Sequence, residues 1–137
     1  MARDIIHDAV KNALIKDGWE ITADPYTIKF KGAKVFVDLA AELPIAAERG
    51  GQRIAVEIKS FLGASPMHEL EAALGQYRIY LRFLQATEPE RKLYLAISDL
   101  TESRFFRRPA IQFIVEQENL SLVVINTATE EVVKWIN

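Results

Sequence analysis

Three charged residues interrupt two otherwise apolar stretches near the middle of this chain, and they constrain its fold more than any other feature. The stretches predict two strands, from Lys34 to about Glu42 and from Arg53 to Ser60. Asp38 lies in the first strand. Because side chains alternate between the faces of a strand, Glu57 and Lys59 share one face of the second. Burying an unpartnered charge is very unfavourable. The three side chains are therefore expected to meet one another, water or a metal ion.

These three residues match what metal-dependent phosphodiester cleavage requires. Asp38 and Glu57 can hold Mg²⁺ through oxygen ligands while the ion keeps several waters. Lys59 can orient a metal-activated water or stabilise charge on the phosphate. Two carboxylates about 4 Å apart repel by roughly 4 kcal/mol at an effective dielectric of about 20, and a cation and a lysine remove this repulsion. The alternative is a buried salt-bridge network, although apolar residues would be as stable there.

Length and composition indicate one domain, residues 1–137, with half of its residues apolar. There is no run of about 20 apolar residues to span a bilayer, and the first residues have no signal-peptide core. The absence of cysteine excludes disulfides and thiolate zinc sites, and two histidines argue against a multi-histidine zinc centre. A cytoplasmic protein without a membrane partner is expected.

The charge balance limits how the chain could bind nucleic acid. Seventeen basic and nineteen acidic residues give a net charge of −2, whereas a free-standing nonspecific binder is normally basic. A nucleic-acid role would need a local patch, a metal or a partner. The densest basic-aromatic cluster, Arg104 to Arg108, could grip phosphates or a partner protein. Two packed phenylalanines beside solvated arginines are the commoner arrangement.

Two helices flank the predicted strands. Asp4 to Asp17 is predicted to be an amphipathic helix that Gly18 ends. His7 lies at the flank of its apolar stripe, which is typical of a boundary histidine, and Asp4 is expected to be solvated on the other side together with Asp8.

The longest predicted helix is Met67 to Gln85, with Ser65 as its N-cap. Gln76 and Tyr80 lie one turn apart on a second side of this helix, where a solvated amide and an amphipathic tyrosine are the simplest interpretation.

The remaining elements complete a layered α/β or α+β domain. A small alanine-rich segment between Leu43 and Gly51 could form one helical turn. Further predicted elements are strands at Trp19–Thr22, Tyr26–Lys31, Arg91–Ser98, Leu120–Asn126 and Glu131–Ile136, and a helix at Glu102–Glu118 interrupted near Pro109.

The order of these motifs resembles the PD-(D/E)xK nuclease superfamily. Asp38 matches its Asp, and Glu57 and Lys59 match its (D/E)xK, while Val37 stands where the proline that names the motif would be. Gln76-x-x-x-Tyr80 is similar to the Q-x-x-x-Y motif of the RecB-like branch.

This resemblance implies a restriction-endonuclease-like fold, with a central mixed sheet flanked by helices. It implies His7 and the Ile58 carbonyl as further metal ligands and Mg²⁺ or Mn²⁺ as cofactor. Gln76 and Tyr80 would position the substrate.

Across nearly its whole length the sequence also resembles the XisH family, the fdxN element excision controlling factors of cyanobacteria. The matching stretches are D-I-I-H-D-A-V-K-N-A-L-I-K-D-G-W, V-D-L-A-A-E, I-A-V-E-I-K-S-F-L-G and L-Y-L-A-I. The resemblance implies programmed excision of a DNA element during heterocyst differentiation, beside a site-specific recombinase and the small partner XisI.

Three functions follow as hypotheses. The chain is a Mg²⁺-dependent endonuclease or nicking enzyme acting on DNA, or a catalytically silent nuclease-fold module acting through XisI and the recombinase. The third is a structural protein whose strand charges form only salt bridges.

Overall fold

The computed structural model describes residues 4–43 and 51–137. The predicted helical turn in the connection between the central strands falls at positions 44–50, outside the described residues. The elements are α1 (His7–Lys16), β1 (Glu20–Ala23), β2 (Tyr26–Phe30), β3 (Ala33–Val37), β4 (Leu39–Leu43), β5 (Gln52–Ile58), α2 (Pro66–Thr87), β6 (Arg91–Ser98), α3 (Asp99–Thr101), a π-helix (Glu102–Phe106), α4 (Pro109–Gln117), β7 (Leu122–Asn126) and β8 (Glu131–Ile136).

A mixed sheet of six strands, in the order β1-β4-β5-β6-β7-β8, forms the centre of the domain. β5, β6 and β7 run parallel, and the strands outside them pair antiparallel. The parallel strands read as almost continuous apolar runs because helices cover both of their faces. The predicted α/β class, with a central mixed sheet flanked by helices, is confirmed. No helix among the described residues is long and apolar enough to cross a membrane.

Each face of the sheet has its own apolar core. On one face Val10, Ala13 and Leu14 of α1 pack against Val56 and Ile58 of β5. The other face is covered by α2, by the β2–β3 hairpin and by the π-helix with α4. Its buried residues include Ala55, Ile28, Val37, Leu70, Ala73, Tyr77, Phe105 and Ile111. Because Ala55 belongs to this second core, Glu57 and Lys59 leave β5 on the α2 side.

The first of the two central strands is broken, which corrects the prediction of one strand from Lys34 to Glu42. β3 ends at Val37 and pairs only with β2, whereas β4 begins at Leu39 and pairs with β1 and β5. Asp38 lies between them. The break arises because β3 folds back with β2 over α2, so the chain leaves one sheet and enters another at this residue.

A tight turn joins β2 to β3, as the K-G-A sequence predicts. Phe30 pairs with Ala33, and the two turn residues both have positive φ: +48° for Lys31 and +82° for Gly32. This pattern is that of a type I′ hairpin turn, which favours glycine, asparagine or aspartate. Gly32 meets that preference and Lys31 does not.

Asp4 is not solvated as predicted. It is half-buried, and its carboxylate accepts hydrogen bonds from the backbone N–H groups of Ile6 (3.2 Å) and Ser60 (3.1 Å). The carboxylate therefore ties the start of α1 to the segment that follows β5, a contact that helix periodicity cannot reveal.

The N-cap predicted for the longest helix is confirmed, since Ser65 Oγ accepts from His68 N–H at 3.3 Å. The predicted interruption near Pro109 is also confirmed, because α4 starts at that proline. A π-helical turn precedes it, which the sequence pattern did not predict.

Candidate functional site

Asp38 and Glu57 lie side by side where the first strand breaks and β5 ends. The N–H of Ile58 donates to Asp38 Oδ2 at 2.8 Å, and the N–H of Asp38 donates to Glu57 Oε1 at 3.4 Å. The pairing of β4 with β5 ends at Leu39 and Val56, so the N–H of Ile58 has no backbone partner on β4. The Asp38 carboxylate accepts this hydrogen bond instead. Backbone N–H groups therefore hold the carboxyl group of Asp38, between β3 and β4, beside that of Glu57 on β5.

The environment of Glu57 opposes its ionisation. The side chain is only 6% exposed. Burial raises its pKa from an ordinary 4.5 to about 8, the neighbouring Asp38 charge acts in the same direction, and Lys59 opposes both effects. Burial and the Asp38 charge therefore favour the protonated form of Glu57 when no cation is bound. A bound divalent ion would displace that proton.

Lys59 lies directly after the end of β5. Its backbone N–H donates to the carbonyl of Ala96 at 3.1 Å, which extends the contact with β6 by one residue. The residue is half-buried and leaves the strand on the same face as Glu57. Its ammonium is close enough to lower the pKa of Glu57, although less than burial and Asp38 raise it.

Tyr80 of α2 faces the two carboxyl groups. Its side chain is half-buried, and burial, followed by the charges of Glu57 and Asp38, raises its pKa to about 12. Gln76 precedes it by one helical turn, and its Oε1 is buried with no hydrogen-bond partner among the described residues. The Gln76-x-x-x-Tyr80 pair therefore lies on the side of α2 that covers the site. Gln76 is not the solvated amide of the simplest interpretation.

The buried amide oxygen of Gln76, which lacks a partner among the described residues, leads to a direct prediction. Because a buried polar group without a partner costs about 1–3 kcal/mol, Gln76→Met is expected to leave thermal stability unchanged or to raise it slightly. If the amide binds substrate, the same variant binds or cleaves DNA less well. A melting temperature well below that of the parent would show that Gln76 has a structural partner instead.

Within residues 4–43 and 51–137, no hydrogen bond or ion pair joins His7 to this pair. His7 is buried, and its Nε2 lies 2.9 Å from Asp24 Oδ1, while Lys11 Nζ donates to Asp24 Oδ2 at 2.9 Å. Its helix packs on the face of the sheet opposite to α2. A metal role for His7 stays a prediction, and the contacts assign its Nε2 to Asp24.

Sequence reasoning missed Asp24, which lies in the connection between β1 and β2. One signal was available. His7 and Lys11 are four residues apart on a helix and share one side of it, an arrangement that suits a common carboxylate acceptor.

The donor set fits a hard divalent cation bound by few protein ligands. Within residues 4–43 and 51–137, no three His, Cys, Asp or Glu side chains form a group that could hold a metal ion. Mg²⁺ commonly takes one or two carboxylates and completes its shell with waters and substrate phosphate. Asp38 and Glu57 provide such a pair, and burial followed by the Asp38 charge raises the pKa of Glu57 although Lys59 lowers it. The carbonyl of Ile58 stays a predicted ligand.

In the Arg104–Arg108 cluster the phenylalanines are packed and the outer arginines are solvated, which is the commoner of the two expected arrangements. Phe105 and Phe106 are buried, and Arg104 and Arg108 are exposed. Arg107 pairs with the buried Glu102 at 3.0 Å, so this arginine has a structural partner.

Comparisons with known proteins show where this architecture occurs. The sequence model of the family described as XisH protein matches residues 1–133. An XisH family protein from Nostoc punctiforme PCC 73102 is similar in structure, with a TM-score of 0.89 and 38% identity over 98% of this chain and 100% of that chain. An fdxN element excision controlling factor protein from Anabaena variabilis has a TM-score of 0.88 and 41% identity over the same shares of the two chains. No curated protein matches.

Proposed function

The chain belongs to the XisH family, and we propose that it is a Mg²⁺-dependent DNA endonuclease or nicking enzyme that acts in the excision of a DNA element. The observation that carries this proposal is the contact of the half-buried Asp38 with the buried Glu57 at the end of β5, with Lys59 as the nearby cation. In a structural salt-bridge network, a basic partner would lower the pKa of each carboxyl group. The pKa of Glu57 is instead raised to about 8.

Each residue has a separate task in this proposal. Asp38 and Glu57 would hold Mg²⁺ or Mn²⁺, together with the Ile58 carbonyl. When bound, the ion lowers the pKa of a coordinated water and offsets charge on the scissile phosphate. Lys59 would orient the attacking water or stabilise the extra negative charge on the phosphate in the transition state. Gln76 and Tyr80 would position the substrate.

Nicking of supercoiled plasmid DNA tests the proposal. The parent is expected to convert plasmid to the nicked or linear form with Mg²⁺ and to leave it intact in EDTA. Asp38→Ala is expected to abolish this conversion because it removes a metal ligand. Equal cutting by the parent and Asp38→Ala would overturn the proposal, and so would a parent that leaves the plasmid intact across Mg²⁺ and Mn²⁺ concentrations.

A second candidate is a catalytically silent regulatory module that works through an XisI-like protein and a site-specific recombinase. Two observations favour it. Among the described residues no group of three or more His, Cys, Asp or Glu side chains could hold a metal ion, and the chain has a net charge of −2. In this case excision of the DNA element survives alanine at Asp38, Glu57 and Lys59. Under the nuclease proposal, each of these substitutions stops it.

A further inference from the structure

The β2–β3 hairpin (residues 26–37) concentrates positive charge in a chain that is acidic as a whole. Its twelve residues include three lysines, Lys29, Lys31 and Lys34, and no acidic residue. The other positions hold fourteen basic and nineteen acidic residues. In the part of the chain that the structure describes, none of the three lysines forms an ion pair with a carboxylate.

The two faces of the hairpin differ sharply. The inner face packs Ile28 and Val37 into the core against α2. Since residues paired across two strands point to the same side, Lys29 and its partner Lys34 lie together on the outer face. Phe36 is 39% exposed on that face, and Lys34 Nζ lies 5.5 Å from the centre of its ring. The outer face therefore combines cations with an exposed aromatic ring.

Two features of the hairpin act against its own stability. Like charges directly opposite each other on paired strands repel, as Lys29 and Lys34 do. Lys31 occupies a positive-φ turn position (+48°) that asparagine or glycine would hold at lower cost. An anionic ligand would offset the repulsion between Lys29 and Lys34, so this pair points to a bound anion.

The hairpin leads directly into the candidate site. Lys34 and Phe36 share the outer face of β3, and Asp38 follows directly after β3 ends at Val37. Four residues of chain span at most about 13 Å, which is the rise of about four base pairs of duplex DNA. An anion that contacts Lys34 therefore lies within reach of Asp38.

From these observations we infer that the outer face of the β2–β3 hairpin binds the DNA backbone and holds the duplex beside Asp38. DNA is chosen over an acidic protein because the hairpin ends at Val37, one residue before Asp38, so this choice rests on the proposed function. The hairpin would be the local basic patch that an acidic chain needs for binding nucleic acid.

Binding of a short DNA duplex in EDTA tests the inference without depending on cleavage. The triple variant Lys29→Gln, Lys31→Gln and Lys34→Gln is expected to bind at least about tenfold more weakly at low salt. Its slope of log affinity against log salt is expected to be shallower by about 0.9 for each phosphate that the variant no longer neutralises. The matched control removes three exposed cations elsewhere, at Lys16, Arg82 and Lys92, and should stay close to the parent.

A single substitution separates binding from folding. Lys29→Glu replaces the repulsive pair by an attractive one, so its melting temperature is expected to equal or exceed that of the parent while DNA affinity falls. Loss of affinity together with a lower melting temperature in Lys29→Glu would contradict the inference, because the hairpin would then be needed only for the fold.

The results that would overturn this inference differ from those that would overturn the nuclease proposal. The inference is wrong if the triple variant binds like the parent, if the control loses as much affinity, or if the parent binds no duplex. It is also wrong if a polyglutamate peptide binds the parent more tightly than the duplex does, since an acidic protein would then be the ligand. If the hairpin variants lose affinity but the parent never cuts DNA with Mg²⁺, the nuclease proposal fails and the inference stands.

Discussion

Replacing Lys59 with methionine is expected to lower the rate of Mg²⁺-dependent DNA cleavage by about 10²- to 10³-fold, the usual effect of removing one group that stabilises transition-state charge. Methionine keeps most of the aliphatic stem of the half-buried side chain. Among the described residues Lys59 forms no ion pair with a carboxylate, so the fold does not depend on its charge. The measurement is the single-turnover cleavage rate at saturating Mg²⁺.

Metal binding distinguishes this effect from damage to the site. Lys59→Met removes a positive charge beside Glu57, so calorimetry should find Mg²⁺ or Mn²⁺ affinity equal to or higher than in the parent. Lys16→Met is the matched control, since this exposed lysine donates only to the carbonyl of Thr129 at 2.7 Å among the described residues. A Lys59→Met protein that cuts DNA as fast as the Lys16→Met protein would remove Lys59 from the mechanism.

Glu57→Gln is expected to stabilise the metal-free protein at alkaline pH by a few kcal/mol, because a pKa difference of one corresponds to about 1.4 kcal/mol. The folded-state pKa of Glu57 is raised to about 8 from an ordinary 4.5. Between these values the folded protein keeps a proton that the unfolded chain releases. The contribution of Glu57 to the stability of the parent is therefore fully present below about pH 4.5. It falls as the pH rises towards 8 and is lost above that pH. Glutamine is neutral throughout.

Chemical denaturation in EDTA at about pH 5 and about pH 9, on either side of the raised pKa, measures this difference. The two proteins should be similar in stability at the acidic pH, and the Glu57→Gln protein should be the more stable of the two at the alkaline pH. Added Mg²⁺ is expected to stabilise only the parent, because the variant lacks one carboxylate ligand. A variant that is less stable than the parent at both pH values would show that ionised Glu57 supports the fold, as the salt-bridge alternative requires.

Local features of the fold could be predicted from the sequence because nearby residues determine them. The Ser65 cap, the stop at Gly18, the start of α4 at Pro109 and the K-G-A turn each depend on a few adjacent residues. The apolar runs of β5, β6 and β7 predict buried strands since helices cover both faces.

Features that depend on distant parts of the chain could not be predicted in this way. The break at Asp38 arises because β3 pairs with β2 while β4 pairs with β5, and the alternation of side chains continues smoothly through it. Asp4 and Asp24 bind groups that are 56 and 17 residues away in the chain.

The candidate site was predictable in composition and only partly in geometry. The rarity of charges inside apolar strands was enough to select Asp38, Glu57 and Lys59. The position of Tyr80 over the two carboxyl groups and the unpartnered amide oxygen of Gln76 depend on how α2 packs on the sheet. Periodicity in α2 shows that Gln76 and Tyr80 share a side, but it cannot show what that side covers.

Anomalous diffraction from a crystal soaked in Mn²⁺ near pH 8 tests most directly the claim that Asp38 and Glu57 form a divalent-cation site. One strong anomalous peak is expected within coordination distance of carboxylate oxygens from both residues, and no such peak is expected in a Glu57→Gln crystal soaked in the same way. Absence of a peak between the two carboxyl groups of the parent, with Lys59 Nζ placed between them instead, would contradict it.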